Sequence, residues 1–250
     1  METLALRELQ LPTYKIGKYG RWEILLPPPE QDGMILQPGY YTPIIREQPF
    51  HYLRRDGVTW MCTSRLEQES HQYHLNRCHG KVLICGIGMG MFLYNAALLD
   101  SVESIVAVDI DDEIIELLKT ATDFDNWPGR SKITLVHGDA LKYMPDFQPD
   151  YMYIDIWPNL MSENTITDVR TIQANINAKI VGWWGQELDF VNYLAGRKAH
   201  NAAAMEYHEF QKHIGVPMDT DNNRSADIYA AFCIQVARCQ IFRSKLETKH

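Results

Sequence analysis

The sequence predicts an α/β fold: a doubly wound, mainly parallel sheet, preceded by a small β-rich segment and followed by helices. Three observations predict it. Short β-branched runs alternate with amphipathic stretches through the middle of the chain. The first of these runs ends in a cluster of glycines, and the second ends on an acid.

In order along the chain, Arg21 to Leu26 reads as a strand stopped by Pro27-Pro28-Pro29. Asp32-Gly33 and Pro38-Gly39 mark turns. His51 to Arg54 and Val58 to Thr63 flank Asp56-Gly57, the signature of a hairpin with a two-residue turn. Ser64 to Arg77 reads as a helix, with Ser64 as N-cap and Glu67 at the capping-box position. Then strands and helices alternate. Lys81 to Cys85, Ser104 to Val108, Lys132 to Val136, Tyr151 to Ile156 and Lys179 to Trp184 are strands. Met89 to Leu99, Asp111 to Thr120, Ala140 to Met144 and Thr167 to Ala178 are the helices between them. Right-handed crossovers then bring all five strand C-termini to one edge. Leu188 to Arg197, Ala202 to His213 and Ser225 to Phe242 are helical, with a loop over Gly215 to Asn223. The expected division is a β-rich unit over 1–63, an α/β core over 64–198 and a helical extension over 199–250.

Bulk properties agree with a folded chain. Of 250 residues, 46% are apolar and 22% charged, so a large core is available and no segment is disordered by composition. The net charge is −8, a poor match for a phosphate backbone, which argues against non-specific nucleic-acid binding. Five cysteines without paired spacing read as free thiols in a reducing compartment. No apolar leader or membrane-length stretch is evident, so a cytoplasmic protein is expected.

The chemistry lies at the strand ends. Gly86, Gly88 and Gly90 follow the first core strand, where glycines let the chain turn sharply and let a ligand lie against the backbone. The spacing is G-x-G-x-G; Met91 stands where the dinucleotide fingerprint has its last glycine. Asp109, followed by Ile110, ends the second strand, where an acid can accept both hydroxyls of a ribose. Together these point to an adenosine-containing cofactor. Asp139-Ala140 ends the third strand. Asp139 either accepts from an adenine amino group or caps the next helix. Asp155 ends the fourth, either orienting or deprotonating an acceptor or holding its own loop. Of Trp183 and Trp184 one faces the ligand edge or a partner, since adjacent strand residues point to opposite faces. Tyr40 and Tyr41 either lid the cofactor or belong to the β-rich core. His71 and His74 share a helical face without a third metal ligand.

Gly86, Gly88, Gly90, Asp109, Asp139-Ala140 and Asp155, in that order, resemble the class I S-adenosylmethionine-dependent methyltransferase superfamily over roughly residues 80 to 185. The resemblance implies a Rossmann-like methyltransferase core with S-adenosylmethionine as cofactor. Gly86, Gly88, Gly90, Asp109, Ile110, Asp139 and Ala140 would bind it and Asp155 would be catalytic; from their places beside these strand ends, Trp157, Tyr41 and Glu187 are expected to meet the acceptor. Upstream, Asp56-Gly-Val-Thr-Trp-Met-Cys-Thr63, with Glu67 and Tyr73, resembles the lead-in of the spermidine synthase branch. There the family's Gln-x-Thr appears as Met61-Cys-Thr63, its Asp-Glu pair as Leu66-Glu67, and its D-x-x-D-P as Asp155-Ile-Trp-Pro158. These departures remove acids that hold a polyamine and weigh against aminopropyl transfer. Asp155-Ile-Trp and Gly182-Trp-Trp-Gly-Gln-Glu187 also resemble a group of phage-encoded methyltransferase-like proteins. No N/D-P-P-Y/F motif is present, which weakens a base-amine acceptor.

The expected function is therefore methyl transfer to an unidentified small-molecule acceptor. An aminopropyltransferase and a non-catalytic S-adenosylmethionine-binding protein are the alternatives. Helices are expected to replace the family's last two strands, either capping the site or forming a homo-oligomer.

Overall fold

A computed structural model describes residues 4–27, 35–197, 203–219 and 222–247. Pro28, Pro29, the Asp32-Gly33 turn and the expected boundary at 198/199 lie outside the described residues.

The N-terminal part is an antiparallel sheet of β1 (Gly17–Tyr19), β2 (Trp22–Leu25), β5 (Tyr52–Arg55) and β6 (Val58–Cys62), in that order. Between its halves runs a ribbon of β3 (Ile35–Gln37) and β4 (Ile45–Glu47). The β5–β6 hairpin turns on Asp56 and Gly57, both with positive φ (50° and 81°), as its two-residue loop requires. α1 (Arg65–Leu75) follows, with the Ser64 side chain accepting from the Glu67 N–H.

The core sheet has the order β11-β10-β7-β8-β9, all parallel: β7 (Gly80–Cys85), β8 (Val102–Asp109), β9 (Ile133–His137), β10 (Tyr151–Ile154) and β11 (Val181–Trp183). α2 (Met91–Ala97), α3 (Asp112–Ala121) and α4 (Thr165–Ile176) are its crossover helices. This is the doubly wound sheet expected, with the strand order reversing beside β7. Alternation along the strands divides the core in two. Val82, Ile84, Ile105, Ala107, Tyr151 and Tyr153 face α2, α3 and the N-terminal sheet, whose Trp22, Ile24 and Leu53 join that cluster. Leu83, Cys85, Met152 and Ile154 face α4 and the C-terminal helices.

α5 (Gln186–Gly196), α6 (Ala204–Ile214) and α7 (Asn223–Glu247) follow β11, and among the described residues the core sheet gains no sixth or seventh strand. The three helices pack onto the α4 face through Phe190, Tyr207, Phe210 and Tyr229. None of the described helices is long and apolar enough to cross a membrane. All five cysteines are free thiols.

Two expected elements differ. Ala140 to Met144 forms a turn and not a helix. Pro145 disfavours helical geometry at Met144, and the segment is too short to nucleate on its own. α2 starts at Met91 and not Met89, because Gly90 sits at φ 76°, outside helical space.

Candidate active site

Crossovers leave β7 toward β8 on one side and arrive at β10 on the other, so a crevice opens at the strand C-termini between them. A cavity fills it, with about 1260 Å³ of empty space, open mouth included.

The glycine turn after β7 is the cavity floor. Gly86 has φ 91°, and a methyl group there would overlap the Asp155 carbonyl oxygen on the neighbouring strand end. Gly88 has φ 51°, and a Cβ there would meet the Met61 sulfur. Both positions need glycine for conformation and for space. Gly86 and Gly88 line the cavity; Gly90 does not, and its missing side chain makes room for Leu118 and Trp127. The third glycine thus serves packing beneath the site. The Met89 N–H donates to the Met61 sulfur at 3.2 Å, pinning the turn to the N-terminal sheet.

On the β8–β9 side stand Asp109, Ile110, Asp139 and Ala140. Asp109 accepts from the Ile87 N–H at 2.8 Å and from the Asp111 N–H at 2.9 Å, one with each oxygen. Burial raises its pKa, while those backbone donors pull it down. A third backbone donor, Gly88, also acts on it, and the carboxylate keeps acceptor capacity beyond these for a ligand. Ile110 is 68% exposed, an apolar side chain left open at the rim. Asp139 lines the cavity and also accepts from the Leu141 N–H at 3.0 Å, so the capping role is seen, on a turn. Its hydrogen bond to Lys142 holds its carboxyl below the usual range. Over this end the N-terminal sheet lays Trp22 and Trp60, packed edge-on at 5.6 Å, with the Arg55 guanidinium against both and 3.5 Å from Asp111.

On the β10–β11 side stand Asp155, Trp157 and Trp184, faced by Glu67 and His71 one helical turn apart on α1. Burial pushes the Asp155 carboxyl up to about 7, and nearby Asp109 adds to the shift. His71 is buried, which holds its pKa down to about 4, and its Nδ1 lies 2.9 Å from the Tyr153 hydroxyl. Phe92 stacks on Tyr153 at 4.0 Å. The Trp157 indole donates to Asp168 at 2.9 Å and the Trp184 indole to Ser70 at 2.8 Å. Trp183 points the other way, into the core, and donates to Asp189 at 2.7 Å.

Two expected acceptor-side residues do not line this cavity. Tyr41 donates to Gln72 Oε1 at 2.5 Å and packs on Phe232, closing the protein behind α1. Glu187 is fully buried: Tyr40 and Tyr229 donate to its carboxylate at 2.9 and 3.3 Å, and His74 Nε2 is 3.6 Å away. Gly185 at φ 84° turns the chain into α5, and Glu187 enters the core instead of the crevice. It ties the N-terminal loop, α1 and α7 to α5. None of the described residues of α5, α6 or α7 lines the cavity, so these helices do not cap it.

Trp22, Arg55, Trp60, Met61 and His71 line the cavity without having been assigned to it from sequence, and Trp184 is the member of the tryptophan pair that faces it. For His71, the signal present was its four-residue spacing from Glu67 on one helical face. For Trp60 and Met61 it was their place in the Asp56–Thr63 lead-in; for Trp22 and Arg55 there was none, since the docking of that sheet is a tertiary event.

No family model matches the chain, and no curated protein matches it in sequence. Solved structures do overlap with it in part. A DhpI complex with S-adenosylmethionine is 16% identical over 46% of this chain and 51% of that one, with a TM-score of 0.35. The glycopeptide N-methyltransferase MtfA with S-adenosylmethionine is 20% identical over 43% of each chain, TM-score 0.35. Spermidine synthase from Thermotoga maritima is 15% identical over 62% of this chain and 64% of that one, TM-score 0.39. The chain thus spans about half the length of the first two.

Proposed function

We propose that this chain binds S-adenosylmethionine and transfers its methyl group to a small-molecule acceptor. The observation that supports this most is the meeting of the Gly86–Gly88 turn, Asp109, Asp139-Ala140 and Asp155 around one cavity at the switch point of a parallel sheet. The residues fit the cofactor. The glycine turn leaves a cradle that a Cβ would fill, Asp109 retains acceptor capacity for ribose hydroxyls, and the Ile110 side chain offers an apolar surface for adenine. Ala140 and Asp139 would bound the adenine from the opposite side. The bound sulfonium would supply an already activated methyl group.

The chain's own residues then have two tasks. Asp109 and the glycine turn hold one reactant, while Trp157, Trp184 and Asp155 position the other in line with it, so that encounter becomes intramolecular. Asp155 is the acceptor-side base: no protein donor among the described residues reaches its carboxylate, and its raised pKa suits proton uptake near neutrality. The test is isothermal calorimetry with S-adenosylmethionine and S-adenosylhomocysteine, followed by mass spectrometry of the turnover products. Micromolar binding with release of S-adenosylhomocysteine is expected. Binding without turnover of any acceptor pool would favour a non-catalytic binder, and no binding would overturn the proposal.

A further inference from the structure

Resting on the cofactor reading above, the β10–β11 end of the cavity also specifies what kind of acceptor it takes. Its aromatic side chains have spent their polar tips inside the protein: Trp157 on Asp168, Trp184 on Ser70, and Tyr153 on His71. What they present to the cavity is ring carbon in fixed orientation, a surface that favours a flat apolar partner. The polar groups left facing inward are the Asp155 carboxylate, His71 and Glu67, and Glu67 has interactions of its own within the protein.

We propose that the acceptor is a neutral, planar aromatic molecule bearing a phenolic hydroxyl, seated against Trp157 and Trp184 with that hydroxyl on Asp155.

Charge weighs against the neighbouring chemistries. Arg55 is the one cation among the described lining residues, and it sits at the opposite end beside Asp111, so an anionic acceptor finds no counter-charge. A cationic amine meets an end of the cavity where burial disfavours charge: the His71 pKa is lowered to about 4. Asp155 is likewise pushed toward its neutral form. Glu67 is the feature that would favour an amine, and the test includes one for that reason. A phenol, with a pKa of about 10, lies within reach of a base near 7, whereas an aliphatic hydroxyl does not. In the step, a lone pair of the phenolic oxygen forms the new O–C bond. The S–C bond breaks with its electron pair left on sulfur, and the phenolic proton passes to Asp155.

The experiment is calorimetric titration of the protein saturated with S-adenosylhomocysteine, using 4-ethylphenol, catechol, putrescine and benzoate as probes. At least one phenol is expected to bind tenfold or more tightly than putrescine and benzoate. Trp184→Ala should weaken that phenol at least tenfold and Trp184→Phe by less than threefold, with S-adenosylhomocysteine affinity within threefold in both. With S-adenosylmethionine present, the methyl group should appear on phenolic oxygen, and Asp155→Asn should slow this at least tenfold while the phenol still binds. Putrescine or benzoate binding as well as the phenols, or Trp184→Ala leaving phenol binding unchanged, would overturn the inference alone. Failure of wild-type protein to bind S-adenosylhomocysteine would overturn the cofactor reading and this inference with it.

Discussion

The Asp109 carboxylate, at the tip of β8, accepts the backbone N–H of Ile87, in the glycine turn after β7, at 2.8 Å. One side chain therefore holds the floor of the cavity in shape and presents acceptor capacity to whatever lies on it. Binding and local order are coupled through this bond, and it gives the first prediction.

Asp109→Ala should weaken S-adenosylhomocysteine by roughly 1–3 kcal/mol, the order expected when a charged acceptor of buried hydrogen bonds is removed. Asp109→Asn retains an oxygen for Ile87 and should lose less. Calorimetry on both variants checks this; unchanged affinity in the alanine variant would remove Asp109 from the ribose role.

Asp155 is expected to act on the acceptor side. Asp155→Asn should reduce turnover at least tenfold and leave cofactor affinity within a few fold. Since the carboxylate form is the base and its pKa is about 7, kcat/KM for a neutral acceptor should rise with pH and level off above about 7. A flat profile between pH 5.5 and 8.5 would argue against the assignment. S-adenosylmethionine, and not its decarboxylated form, should be the productive donor; methylthioadenosine formed from the latter with putrescine would favour aminopropyl transfer.

Gly86→Ala should be far more damaging than Gly57→Ala. Both glycines have positive φ, but a methyl at Gly86 strikes the Asp155 carbonyl, whereas at Gly57 nothing lies within 4 Å. Strain alone costs about 1–3 kcal/mol at either site, so the excess measures the clash. Thermal denaturation of the two variants distinguishes them; equal losses of Tm would show that the glycine turn can relax.

Glu187 should make its own contribution to the pH dependence of stability. Burial raises its folded pKa from 4.5 to about 7, so between those values the native state holds a proton that the unfolded chain has released. Its contribution is therefore lost as pH rises from about 4.5 and is gone by about 7. Buried His71 and His74, with pKa held down from 6.5 to about 4 and about 3, act in the opposite sense over most of this window, up to about 6.5. The informative quantity is the difference between wild type and Glu187→Gln, which keeps acceptor and shape. Relative to the variant, wild type should lose stability from pH 4.5 to 7; a parallel pair of curves would show that Glu187 titrates normally.

No sub-micromolar binding to random DNA or RNA is expected at moderate salt, given a net charge of −8 and a cavity with five acids, Glu67, Asp109, Asp111, Asp139 and Asp155, against Arg55. A gel shift is sufficient to check it.

The core of this protein was legible in its sequence because its signals are local. The β-branched runs around Val82–Cys85 and Ile105–Val108, the Asp56-Gly57 turn, the Ser64 cap and the acids that close β8, β9 and β10 act through neighbours in the chain, and each lies where its spacing placed it. A parallel sheet then carries those strand ends to one edge whatever the loops do. What tertiary structure alone decided is which side chains turn toward that edge. Trp22, Arg55 and Trp60 reach the cavity only because the N-terminal sheet docks over α3, a contact between segments far apart in sequence. Trp183 and Trp184 are indistinguishable by composition; the pleat sends one to the core and the other to the cavity. Glu187 and Tyr41 had the residue types of a binding site. The first turn of α5 buries Glu187 against Tyr40 and Tyr229, and Gln72 engages Tyr41. Local preference settles the path of the backbone, whereas the facing of a polar side chain depends on which distant donors can satisfy it once water has left.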